Sequence, residues 1–136
     1  MSPYIFVVAA ALAVIPMLII FKVTIERIKE DPSPATRKKA TTQFFIGIFL
    51  SEVIPIILFI YGFANLVPAD QMEDLFVPGL IILLLILISG LFVFMQRTFD
   101  VPAELKDQLN VFAVIGFAVT NTIPILTIVG LIMMIP

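Results

Sequence analysis

Apolar and polar positions alternate along this chain on the scale of whole segments, not of single residues. Four runs are almost free of polar side chains, at roughly 3–21, 44–63, 76–95 and 112–135. Each approaches the ~20 residues that a helix rising about 1.5 Å per residue needs to cross a hydrocarbon core of about 30 Å. None has the strict one-in-two alternation of a barrel strand. A helix bonds all its backbone groups within its own segment, as lipid demands. The pattern therefore predicts an all-α membrane protein with four transmembrane helices. The first run has no Lys or Arg ahead of it, and its "AAALA" lies mid-run, so it is read as a span and not as a cleaved signal.

Three polar linkers separate the runs. The first, "KVTIERIKEDPSPATRKKATTQ" (22–43), holds Lys22, Arg27, Lys29, Arg37, Lys38 and Lys39. The second, "ANLVPADQMED" (64–74), holds no basic residue, and the third, "QRTFDVPAELKDQLN" (96–110), holds Arg97 and Lys106. All eight basic residues thus belong to linkers one and three. The positive-inside rule places those two linkers in the cytoplasm and both termini on the non-cytoplasmic side. Beyond its topological meaning, the basic linker 22–43, with Arg37, Lys38 and Lys39 at its centre, offers a docking surface for another subunit or for anionic headgroups.

Composition agrees with the bilayer as solvent. Hydrophobic residues make up 61% and charged residues 13% of 136, and the mean hydropathy is +1.17. Ordinary soluble domains carry about 25% charged residues. With four spans there is no room for a separate soluble domain. The absence of Cys and His excludes disulfides, a thiol nucleophile and a histidine base. No nucleophile–base pair, metal cluster or phosphate loop is visible, so no metal or organic cofactor is expected, and an autonomous enzyme has no support. Six basic residues beside a membrane are explained by topology, so nucleic acid is not an expected partner.

The second and fourth runs read as copies. Set "FFIGIFLSEVIPIILFIYGF" (44–63) over "AVIGFAVTNTIPILTIVGLI" (113–132) without a gap. Ile46, Gly47, Ile54, Pro55 and Ile56 then fall on Ile115, Gly116, Ile123, Pro124 and Ile125, Ser51 falls on Thr120, and Glu52 falls on Asn121. Asp31 falls on Asp100 and Arg37 on Lys106 at the same offset. The chain is accordingly read as two tandem helical hairpins, 1–66 and 67–136, forming a parallel repeat because an even number of crossings separates the copies. Gly47 with Ser51, and Gly116 with Thr120, are small-xxx-small pairs that suit close helix packing in lipid. Pro55 and Pro124 lack an N–H, so the carbonyls of Ser51 and Thr120 lose their helical donors beside Glu52 and Asn121. A protonated Glu or an Asn amide can donate to such an acceptor.

Within "FLSEVIPII" (49–57) stands a solitary carboxyl, Glu52, about nine residues from either end of its run. An ionised Asp at the bilayer centre costs about 2.5–3.5 kcal/mol on insertion scales, and Glu52 keeps clear of such a cost by holding its proton. A mid-depth carboxyl without a basic partner can take a proton from one side and release it to the other. The alternative is a permanently protonated Glu52 acting as interhelical glue. Ser51 and Glu52 are not a dyad, because adjacent helical residues point about 100° apart.

On these residues the chain resembles a known family. "TTQFFIGIFLSEVIPII" (41–57) is similar to the second helix of the F-type ATP synthase c subunit, the rotor-ring proteolipid, through Thr41, Phe45, Ile46, Gly47, Leu50, Glu52, Pro55 and Ile56. The resemblance implies that Glu52 is an ion-binding carboxylate supported by Ser51 and Pro55. It further implies a homo-oligomeric ring in a bacterial cell membrane. Ala9, Ala11 and Ala13 stand where the family has alternating packing glycines. The doubled hairpin is similar in outline to V-type proteolipids, which usually carry their carboxylate in the fourth helix. Val53 follows Glu52 and the first helix has no Gln, which favours the proton over sodium. Of the family's Arg-Gln-Pro loop motif only Pro34 is matched, behind Pro32 and Ser33. A non-transporting c-like partner of a membrane complex is therefore the second expectation.

Overall fold

The computed structural model describes residues 3–31, 33–98 and 106–136. Among these, the long elements are all helical: α1 (Tyr4–Glu30), α2 (Pro34–Ala64), α3 (Phe76–Thr98) and α4 (Lys106–Met133), with a short 3-10 turn at Met72–Leu75. All four helices are long and apolar enough to cross a membrane. Their outward faces are apolar too: Phe49 is 74% exposed, and Leu50 and Val114 are each 65% exposed. Water would not tolerate so large a continuous apolar surface, and the chain has the character of an integral membrane protein.

Helices α1 and α2 run well beyond their apolar runs. Phe21, Thr24, Ile25 and Ile28 keep a buried stripe going on α1, answered by Ala40, Phe44 and Ile48 on α2. That spacing of three and four residues is all a helix needs to continue against a neighbour. Most of linker 22–43 is therefore helical. The turn between the helices is held by short polar side chains. Ser33 caps α2, its Oγ accepting from the Thr36 N–H at 3.3 Å, and Pro34 occupies the first helical position. The Asp31 carboxylate accepts from the Ser33 N–H at 3.2 Å and from the Thr36 hydroxyl at 2.7 Å. At the opposite end, the Ala69 N–H donates to the Met134 carbonyl at 2.8 Å, tying the second linker to the end of α4.

Helix α1 is the centre of the bundle, packing against α2, α3 and α4. Phe6, Ala9, Ala10, Ala13, Val14, Met17, Phe21, Ile25 and Ile28 are all buried on it. One apolar cluster gathers Met17, Phe21, Ile25 and Ile28 with Phe44, Val93 and Phe112, and so draws on every helix. A second, around Phe6, Ile82, Leu131 and Met134, closes the other end. Between them lies a thin layer of Ala9, Ala13 and Ile123 with Leu58 against it.

Candidate functional site

Proximity to α1 fixes the levels of α2 and α4. Ile20 lies against Gly47, and Ile5 and Phe6 against Gly62, on α2. Phe21 lies against Gly116, and Phe6 against Gly130, on α4. Both helices thus run antiparallel to α1 and parallel to each other, with Gly47 and Gly116 meeting adjacent residues. Glu52 and Asn121 each lie five residues past those glycines, about 7.5 Å along the axis, and therefore at one level. The same level holds Pro16 of α1, and Pro55 and Pro124 stand three residues beyond Glu52 and Asn121. Three helices are thus interrupted at similar depth, each by a residue that cannot donate to the preceding turn.

Glu52 belongs to the inner stripe of α2, in line with Phe44, Ile48 and Pro55. The residue is 9% exposed, and its Oε1 is buried without a hydrogen-bond partner among the described residues. The Ser51 hydroxyl turns away, donating to the Ile48 carbonyl at 3.0 Å and lying 3.5 Å from the Met17 sulfur. Glu52 makes no bond to the carbonyl that Pro55 releases.

Asn121 lies in a different environment. It is 2% exposed, its Nδ2 donates to the Phe117 carbonyl at 2.9 Å, and its Oδ1 faces the Ser89 hydroxyl of α3 at 2.9 Å. Ser89 Oγ also lies 2.8 Å from the Ile86 carbonyl, so its single proton is shared between two acceptors. The amide bonds one turn back along its own helix and does not cap the Thr120 carbonyl. Thr120 and Pro124 are buried beside it. Ser89 was not singled out from the sequence; the signal was a lone hydroxyl inside "LLLILISGLF" (83–92).

The remaining expected residues are distributed as follows. The glycine notches accept bulky side chains of α1 and not a neighbouring backbone. Ala9 and Ala13 are buried, together with Ala10, whereas Ala11 is half-buried on another side of α1. Arg37, Lys38 and Lys39 lie in the first turns of α2, with Lys38 and Lys39 exposed. Pro32 and Asp100 lie outside the described residues. Among the described residues, no group of three carboxylates, cysteines or histidines is placed to hold a metal. No protein-family model, curated protein or solved structure matches this chain.

Proposed function

We propose that the chain is a proton-translocating proteolipid of the c type, assembling as several copies in a membrane ring, with Glu52 as the reversible proton-binding carboxylate. The observation that carries this reading is a mid-span carboxyl, nine-tenths buried, whose Oε1 has no hydrogen-bond partner among the described residues. Acids in such positions are usually functional. The equal level of Glu52 and Asn121 on parallel helices supports two tandem hairpins derived from one another, of which the first keeps an acid and the second an amide. The chemistry is one equilibrium: the carboxylate accepts a proton to give the neutral acid, then returns it. Ser51 and Pro55 shape the helix beside the carboxyl. In this reading linkers one and three face the cytoplasm, in a bacterial cell membrane, and linker 22–43 meets the other subunits of the complex.

The test is modification by a hydrophobic carbodiimide, which attacks protonated carboxyls in apolar surroundings. The expected result is an adduct at Glu52 whose rate of formation declines as pH rises, together with a detergent-stable oligomer and loss of proton flux in Glu52→Gln. Unchanged flux in that variant, with the oligomer intact, overturns the proposal.

One observation favours a second reading, a structural or assembly partner that carries no proton. Glu52 shares the stripe that α2 turns inward, with Phe44, Ile48 and Pro55. In that case Glu52→Gln is silent, and substitutions at the buried glycines are the damaging ones.

A further inference from the structure

At the end of the bundle that carries the basic linker, α1 and α2 leave a groove between them of about 330 Å³, lined by Arg27, Glu30, Asp31, Thr36, Lys39 and Gln43. Its volume falls at the small end of the ~300–1,000 Å³ usual for ligand sites. We infer that this groove seats the headgroup phosphate of an anionic phospholipid from the surrounding bilayer, held by Arg27, Lys39 and the Gln43 amide. The inference needs only that the chain lies in a membrane, and it is independent of proton transport.

Depth is the first argument. On the outer surface, Ile19 and Val23 of α1 are exposed and apolar, and Glu26 and Arg27 follow them. On α2, Phe49, Ile46 and Phe45 are exposed and apolar, and Gln43 and Thr42 follow them. The exposed Lys22 stands five residues deeper on α1, where a long side chain extends its ammonium towards the polar side. The boundary of the uncharged apolar surface runs just below Arg27 and Gln43, which hydrogen-bond across the groove. Lys39 lies one turn farther out, about 6 Å. The polar layer on each side of a bilayer is roughly 5–7 Å thick, half the difference between its total and hydrocarbon thickness. Both cations occupy that layer.

Charge and bonding are the second argument. Arg27 Nη1 donates to Gln43 Oε1, an uncharged acceptor that orients the guanidinium without neutralising it. Neither Arg27 nor Lys39 has an ion-pair partner among the described residues. Because its oxygen is taken, Gln43 has its NH₂ left as a donor. The set is an arginine fork, an ammonium and an amide N–H, all donors, which is what a phosphodiester requires. Two carboxylates share the groove. Asp31 has both oxygens engaged, by the Ser33 N–H and the Thr36 hydroxyl, and it sits at the positive end of α2. Glu30 is the opposing charge.

The test is native mass spectrometry of the purified full chain released from mixed micelles holding equal amounts of phosphatidylglycerol and phosphatidylcholine with matched acyl chains. Retention should favour phosphatidylglycerol. Each basic charge near an anionic surface is worth about fivefold, so Arg27→Gln with Lys39→Gln should bring the preference to near parity. Glu30→Gln should raise it by about the same factor. The pair Lys22→Gln and Lys38→Gln removes equal charge away from the groove and should leave most of the preference in place. No preference in the unaltered protein overturns the inference, and so does an equal loss in the Lys22 and Lys38 pair. Displacement of phosphatidylglycerol by soluble glycerol phosphate would also overturn it, since a free anion would then be the ligand. The unaltered chain and Glu30→Gln decide the matter even if the double variant fails to fold.

Discussion

A methyl group placed on Gly130 would lie 2.8 Å from Phe6 Cζ, and one on Gly116 would lie 2.9 Å from Phe21 Cδ2. Neither ring is free to swing. Phe6 is wholly buried, with Gly62 on another side and Phe59 at a centroid distance of 6.1 Å, and Phe21 is packed edge-on to Phe44. Helix propensity favours Ala over Gly by about 0.8–1 kcal/mol, but overpacking a tight core costs about 1–3 kcal/mol. Gly130→Ala should therefore be destabilising by up to about 2 kcal/mol net in reversible detergent unfolding. Gly79→Ala, whose methyl meets only Leu131 Cδ1, at 4.0 Å, among the described residues, should stabilise by about 0.5–1 kcal/mol. A second residue-scale prediction concerns Asp31. The Thr36 hydroxyl, then the Ser33 amide, hold its carboxyl below the ordinary 3.8. A carboxyl depressed in the folded state adds stability above its unfolded value and loses it as pH falls through the folded one. The turn should therefore loosen only under acid conditions below 3.8, and Thr36→Val should bring the Asp31 titration, followed by NMR, back up towards 3.8.

At the scale of the element, Ser89 and Asn121 join α3 to α4 at the level where Glu52 stands unpartnered on α2. Interhelical hydrogen bonds in membranes average about 0.6 kcal/mol and reach about 1.7. A double-mutant cycle with Ser89→Ala and Asn121→Leu should return a coupling in that range, and a coupling near zero would mean that the hydroxyl prefers Ile86. The four helices themselves were legible in the sequence, because in lipid the length of an apolar run is set by bilayer thickness. Their ends beyond the membrane were not. The run at 3–21 became Tyr4–Glu30 and that at 44–63 became Pro34–Ala64. Past the hydrocarbon edge only one face need be apolar, and Ile25, Ile28 and Ala40 supply it among charged neighbours. Glu52 was legible as a lone acid in hydrocarbon. Its surroundings were not, since the freed carbonyls invited a hydrogen bond that the backbone of the preceding turn takes instead for Asn121, and that Glu52 does not make. The buried side of α1 was half legible: Ala9 and Ala13 share it, but two residues of separation carry Ala11 away around the helix.

For the whole molecule, the asymmetry of charge becomes a statement about sidedness. The basic residues Lys22, Arg27, Lys29, Arg37, Lys38 and Lys39 lie at one end of α1 and α2, while Asp70, Glu73 and Asp74 lie in the connection at the other end. The positive-inside rule counts Lys and Arg near helix ends and gives Asp and Glu little weight, so the expected orientation rests on six basic residues in one linker against none in the next. The chain has no cysteine, so single cysteines report without background. Ala35 and Pro68 are both exposed, at opposite ends of α2. A membrane-impermeant maleimide applied to intact cells should label Pro68→Cys and should reach Ala35→Cys only after lysis. The reverse pattern would move the groove of Arg27 and Lys39 to the outer leaflet and the acidic connection to the inside. It would leave the depth of Glu52 untouched, because a carboxyl midway along its span is equally far from both surfaces whichever way the bundle is inserted. Sidedness therefore decides which leaflet supplies a headgroup, while the depth of Glu52 is the same in either orientation.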